Sequence, residues 1–327
     1  MKLSLLILSY NEAQYLPQAL ESCLGQDIAD YEIIIGDDGS SDGSIELIQR
    51  YAAAYPDRIR YFVMDRSDAL PGKVIPSLRA SNVLRRALET ARGDYCLILS
   101  GDDYLYTGSF LRDGIAFLDT HPSHSAYVGG FEKVWEDRPS EVFRSCYSPV
   151  LYWSGGYIHL TAFLFRRQAF CSGTFLTRFC DDTGIHYALA VSGKWQYTQQ
   201  LVFAYRQRSG SIMHEADPVE LAVSELMIFQ DVLQKKKLYL ASLARFSAPL
   251  LYLFQNRNRL QDTKYQKYME NCRLYEHNVL QTLMDYDTLP GYQRLGLRLW
   301  LLIAKLAQIA SRVLRGVYRR IHKERFQ

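Results

Sequence analysis

Residues 3–44 read LSLLILSYNEAQYLPQALESCLGQDIADYEIIIGDDGSSDGS. Leu3–Leu8 is an apolar run apart from Ser4, the pattern of a strand buried on both faces. Ala13–Leu24 then places Leu16, Ala19, Leu20, Cys23 and Leu24 at helical spacing. Tyr31–Ile35 predicts a second strand, and the turn-rich run Asp37–Gly43 leads into a second helix over Ser44–Tyr55. The alternation continues downstream with a strand at Ile59–Met64, a helix at Pro76–Ala91, a strand at Asp94–Leu99 and a helix over 107–119. Strands alternating with helices imply an α/β fold with a mostly parallel, Rossmann-like sheet and helices on both faces. In such a sheet ligands bind beyond the carboxyl ends of the strands. That makes Ser9–Glu12, Gly36–Gly43, Asp65–Ser77 and Ser100–Tyr104 the loops in which to look for chemistry.

Short apolar segments at Ala126–Gly129, Phe163–Phe165 and Trp195–Tyr205 predict further strands, with a helix over Thr183–Ser192. From residue 218 onward only helical patterns remain. The expected division is a catalytic domain at 1–215 and an all-helical C-terminal region at 216–327.

Charge is unevenly spread. The chain carries +3 overall. Residues 291–327 hold nine Lys/Arg against the single acid Glu324, a net +8, so the rest of the chain carries −5. An acidic body excludes nucleic acid as a general partner, and the basic tail favours an anionic surface. Six cysteines (23, 96, 146, 171, 180 and 272) form no CxxC pair, which argues against a cysteine metal site and fits a reduced compartment. The chain opens directly on a strand without a signal-peptide pattern, and no uncharged apolar run reaches 18 residues. The expected location is the cytoplasm, peripheral to the inner face of the cytoplasmic membrane.

Four polar constellations carry the candidate chemistry. Ser9, Tyr10 and Glu12 follow the first strand, and Asp38 follows the second. Two short loops at neighbouring strand ends can clasp a nucleoside, Asp38 accepting hydrogen bonds from a base N–H or ribose hydroxyl. The plain alternative is a turn, with Asp42 capping the second helix. Asp102 and Asp103 follow the fourth strand. Adjacent carboxylates repel, and a divalent cation shared with a diphosphate relieves that repulsion; the alternative is a solvated acidic turn. Asp181 and Asp182 precede the 183–192 helix, where one can cap it and the other can act as general base. Arg206 and Arg208, with His214 further on, form a basic loop able to close over a diphosphate. Arg79 and Lys73 are further cationic candidates near the exit of the third strand.

Taken together and in this order, these segments resemble the inverting glycosyltransferases of family 2, with the GT-A fold. The 3–44 stretch is similar to the family's nucleotide-binding half. ARGDYCLILSGDDYL (91–105) is similar to its metal-binding acidic segment, and DDTGIHYALAVSGKWQYTQQLVFAYRQRSGSI (181–212) to its base-bearing helix and following strand-loop. The resemblance implies that Ser9, Tyr10, Glu12, Asp38 and Arg79 contact the nucleotide. It implies that Asp102 binds nucleotide and metal with Asp103 beside it, and that Asp182 is the base supported by Asp181. Mn²⁺ or Mg²⁺ is the implied cofactor, a UDP-sugar the implied donor, and a glycan or lipid-linked hydroxyl the implied acceptor, in bacterial surface polysaccharide synthesis.

Three positions depart from the family pattern. Ser100 stands where many members have an acid, Asp181-Asp182 where many have Glu-Asp, and Arg208 where many have His. These departures keep a second reading open, that of a catalytically impaired nucleotide-binding scaffold in a membrane glycan-assembly complex. Retention of Asp102, Asp103 and Asp182 argues for the enzyme. A sugar-phosphate nucleotidyltransferase would need a Gly-rich basic loop after the first strand, and the chain has Ser-Tyr-Asn-Glu there.

Residues 291–323 predict one long helix with Arg294, Arg298, Lys305, Arg312, Arg319 and Lys323 on one stripe and a broad apolar surface beside it. Such a helix can lie on a membrane surface. The alternative is that it packs on its own domain or on a second subunit, as a homodimer through the C-terminal helices.

Overall fold

The structure, a computed structural model, describes residues 1–65, 76–144, 158–171, 182–208, 218–219, 221–223, 225–226, 240–261, 287 and 289–321. Asp181 and His214 from the predicted site, as well as Lys73, lie outside the described residues. The chain divides into two compact units. One holds Met1–Ala69, Arg79–Cys146 and Ile158–Ser211; the other holds Ile212–Gln327 with the short stretches Leu70–Leu78 and Tyr147–Tyr157.

The first unit is α/β. Its opening follows the predicted alternation: β1 (Leu3–Ser9), α1 (Leu16–Leu24), β2 (Tyr31–Asp37), α2 (Ser44–Ala54), β3 (Ile59–Val63), α3 (Pro76–Thr90) and β4 (Tyr95–Ser100). Next come β5 (Tyr104–Leu105), α4 (Phe110–Thr120), β6 (His124–Val134), β7 (Glu141–Phe143), β8 (Phe163–Arg166), α5 (Gln168–Cys171), α6 (Asp182–Ser192) and β9 (Lys194–Arg206). All nine strands join one sheet in the order β3-β2-β1-β4-β8-β6-β9-β5, with β7 pairing β6. β1 to β4 are mutually parallel, as short βα crossovers require. β8 runs antiparallel to both β4 and β6, while β6 and β9 pair in parallel.

The strands carry apolar residues on both sides because both faces are covered. Leu3, Leu5, Leu6 and Ile7 of β1, Ile33 and Ile35 of β2, and Leu97 and Leu99 of β4 are all fully buried. Fully burying such a side chain contributes about 1.5–3 kcal/mol, so these strands form the stable spine of the unit. Helix α1 covers the sheet with Leu16, Ala19, Leu20 and Cys23. Their i, i+3, i+4, i+7 spacing is the one that predicts the helix.

The described elements of the second unit are helical, as expected. They include α7 (Leu240–Gln255) and α8 (Gly291–Ile321), which pack against each other. Among the described residues no helix is long and apolar enough to cross a membrane.

Candidate active site

The parallel strands β2, β1 and β4 deliver three polar loops to one edge of the sheet. The first two loops are stitched together. Asn11 adopts φ 52°, a left-handed conformation that Asn tolerates better than most residues. This turns its N–H toward Ser40 Oγ (2.8 Å) and its Oδ1 toward the Ser41 N–H (2.9 Å). Glu12 N–H donates to Ser44 Oγ (3.0 Å), and Asp38 N–H donates to the Ser9 carbonyl (2.9 Å).

Asp42 does something other than the simple capping expected of it. The N-cap position belongs to Gly43, whose φ of 95° suits only glycine, and no side chain caps there. Asp42 accepts the Ser44 N–H (3.0 Å) and also the Ala13 N–H (2.9 Å), so it ties the second loop to the first. Its carboxylate ionises below the usual range: burial opposes this, but the hydrogen bonds from Ser44 and Ala13 outweigh it.

Asp38 is buried and held from below by Arg79, also buried. Arg79 Nε lies 2.9 and 2.8 Å from the two carboxylate oxygens, and a terminal nitrogen lies 2.6 Å from Oδ1. The hydrogen bond to Asp38 raises the Arg79 pKa, against the opposing effect of burial. Tyr10 also acts on Arg79 electrostatically, which places the first loop beside the pair.

The third loop, Ser100–Asp103, brings its acids against Glu12. A Cβ on residue 101 would sit 2.3 Å from Glu12 Oε2 and 3.2 Å from the Leu8 carbonyl. Only glycine therefore lets Glu12 fold in beside the acidic turn. Arg208, just past the end of β9, bridges the group: its Nε donates to Asp102 Oδ2 (2.7 Å) and a terminal nitrogen to Glu12 Oε1 (3.1 Å). Burial opposes the Arg208 charge, yet Asp102 and Glu12 hold its pKa above the ordinary value.

Arg206 is committed differently. Its N–H donates to Asp103 Oδ1 (2.8 Å), its Nε to the Asp102 carbonyl (2.8 Å) and a terminal nitrogen to Gln18 Oε1 (2.7 Å). It stands over the Tyr15 ring at 4.7 Å. Of the two predicted loop arginines, Arg206 braces the acidic turn and Arg208 faces its carboxylates.

Among the described residues Ser9 Oγ, Glu12 Oε2 and Asp103 Oδ2 are buried with no hydrogen-bond partner. Such orphans are costly. Burial first, then the Asp102 charge, pushes the Glu12 carboxyl well above its usual range, with Arg208 opposing. Asp103 is raised for the same leading reasons. A folded state that holds these protons more tightly than the unfolded chain loses stability as pH rises from the ordinary carboxylate range through the raised values. Glu12→Gln removes one such loss. In chelator, the stability of E12Q relative to the parent should rise steadily as pH climbs from the ordinary value of about 4.5 toward pH 8. Thermal melts across that range check this; a difference constant with pH would show that Glu12 titrates normally.

Hard carboxylate oxygens with unmet valence are the donors that Mg²⁺ or Mn²⁺ prefers, so Asp102 and Asp103 suit a divalent cation in kind. Among the described residues no three His, Cys, Asp or Glu side chains converge as a ready cage. Arg208 is the cation already at Asp102.

Asp182 opens α6 and is exposed. Its charge, with those of Asp103 and Asp102, adds to burial in raising the Tyr205 phenol, so Asp182 shares the electrostatic environment of the acidic turn. His159 belongs to the same neighbourhood and was missed from sequence. It is half-buried, its ring centroid lies 4.5 Å from that of Tyr205, and desolvation drives its pKa to about 3 against the pull of Asp102. Its Nδ1 accepts the Thr161 N–H, leaving Nε2 as the protonated nitrogen of a neutral ring. A lone His in a Gly/Ser/Tyr-rich stretch carries no periodic signal that could have singled it out.

The comparisons with known proteins agree with this architecture. The family model described as Glycosyl transferase family 2 matches residues 4–175. EpsE of Bacillus subtilis (strain 168), assigned by name to the glycosyltransferases, is 26% identical over 261 residues, covering 77% of this chain and 89% of its own. An uncharacterized protein of Mycobacterium tuberculosis is 26% identical over 226 residues, 65% of this chain. The chain spans 61% of the length of that mycobacterial relative. The crystal structure of S. aureus TarS 1-349 in complex with UDP-GlcNAc superimposes with a TM-score of 0.57 at 16% identity, covering 98% of this chain and 92% of that one. The sheet is thus of the GT-A type. With a match that runs from the first strand over more than half its length, the chain belongs to glycosyl transferase family 2.

Proposed function

We propose that residues 1–215 form an inverting glycosyltransferase that moves a sugar from a UDP-sugar to a hydroxyl of a glycan or lipid-linked acceptor in surface polysaccharide assembly. Family membership supports the reaction class. The neighbour TarS was crystallised with UDP-GlcNAc, which supports the donor class. The observation that carries the reading is the convergence of two interlocked loops, an acidic turn and Arg208 at one sheet edge.

In this reading Asp38, oriented by Arg79, accepts hydrogen bonds from the nucleoside, and Ser9, Tyr10 and Glu12 line the same cleft. Arg208 exchanges its carboxylate partners for the diphosphate, while Arg206 keeps the acidic turn in place. Asp102 and Asp103 would hold a divalent cation, which when bound offsets charge on the departing nucleoside diphosphate. His214, which lies outside the described residues, is assigned with Arg208 to the diphosphate. Asp182, with Asp181 beside it, takes the proton from the acceptor hydroxyl. The freed oxygen attacks the anomeric carbon opposite the leaving group, and the configuration inverts.

Thermal melts against UDP, GDP, CDP and dTDP, each with Mn²⁺ or with chelator, test the donor assignment. UDP at a hundred times its dissociation constant should add about 2.7 kcal/mol, a rise of about 5–10 °C for a unit of this size. A shift with another nucleotide alone would reassign the donor. A folded protein shifted by none would remove the nucleotide site from the proposal.

A further inference from the structure

Helix α8 packs with one side and leaves a second apolar side bare. Leu301 is buried (6% exposed) and Leu297 half-buried, on the side turned to protein. At 100° per residue, Leu295, Leu299, Leu302, Leu306, Ile309 and Val313 fall on a different arc of the helix, and they are between 50% and 61% exposed. The bare stripe spans 19 residues, Leu295 to Val313, about 27 Å of helix. Arg294, Arg298, Lys305 and Arg312, all exposed, run along one border of it. Gly291–Ile321 contains seven Lys/Arg and no acid.

We infer that this face of α8 docks on an anionic phospholipid surface, lying in the plane of the interface. The charge pattern selects that occupant. In a second copy packed face to face, the same arginines would flank the seam with no acid to meet them, which opposes self-association. An anionic headgroup layer complements that basic border, and the leucines enter the acyl boundary beside it. Among the described residues no helix spans a membrane, so α8 lies on the bilayer and does not cross it. The inference stands apart from the transferase reading, because it needs no donor and no catalysis. It would also place the first unit near a lipid-borne acceptor.

Flotation of the full chain with phosphatidylglycerol–phosphatidylcholine vesicles, and with phosphatidylcholine alone, tests this. Binding is expected only to the anionic vesicles and should fall steeply with salt. Arg298→Ala, Lys305→Ala and Arg312→Ala should each weaken partition about fivefold. The double variant Leu299→Glu/Leu306→Glu should lose it at least about tenfold. All five positions are exposed, so melting temperature and nucleotide-induced shifts should match the parent, which separates lost docking from lost folding. Equal partition into both vesicle types would overturn the inference. So would a stable dimer in light scattering that L299E/L306E converts to monomer while anionic vesicles capture nothing.

Discussion

Asp182→Asn is expected to leave a folded, nucleotide-binding protein that transfers no measurable sugar. A positioned general base contributes about 10²–10⁴ in rate, and the amide cannot take up the acceptor's proton. Asp182 is exposed at the first position of α6, and Asn keeps the shape of its side chain there. Losing a negative charge at the helix N-terminus costs about 0.3–1 kcal/mol. The base is proposed to act on the acceptor and not on the donor, so UDP affinity should be unchanged by calorimetry while kcat collapses. A general decline in both, or unchanged turnover, would move the base elsewhere in the cleft.

The second large effect is on stability. Arg79→Met should cost about 3–5 kcal/mol, because it leaves the Asp38 carboxylate buried without its counter-ion. For a unit of this size that is a fall of about 10–15 °C in melting temperature. The double variant Arg79→Met/Asp38→Leu removes both charges together and should recover much of that loss. Neither variant should bind nucleotide. Stability would therefore return without function, which distinguishes a site residue from a merely structural pair. An R79M protein as stable as the parent would show that Asp38 reaches water or another donor unaided.

The core of the first unit was legible because its signal is local. Leu3–Leu8, Tyr31–Ile35 and Asp94–Leu99 are apolar except for Ser4, Glu32 and Asp94, the pattern of a strand covered on both faces. β5 and β7 were not predicted. At two and three residues they are too short to show a period, and pairing with β9 and β6 creates them. The same limit applies to the site. Sequence marked Glu12, Asp38, Asp102, Asp103 and Asp182 as polar punctuation after strands or before a helix. It could not show Arg208 reaching across 196 positions to Glu12, or Arg79 reaching across 41 to Asp38. It assigned Arg206 and Arg208 one shared role, and the structure commits them to different partners. Asp42 was read as a cap because Asp before a helix usually is one; its bond to Ala13 depends on two loops meeting in space.

Those bonds also constrain how the cleft can be rebuilt. Asn11, Ser40, Ser41, Asp42 and Ser44 hold the first two loops in a reciprocal lattice, in which each loop supplies acceptors to the other's N–H groups. Neither loop has its geometry alone. A chimera that borrows the Ser9–Glu12 turn from a relative while keeping the native Asp37–Ser44 turn inherits mismatched halves. For engineering donor preference, the heritable unit is the two turns together, transplanted as one cassette.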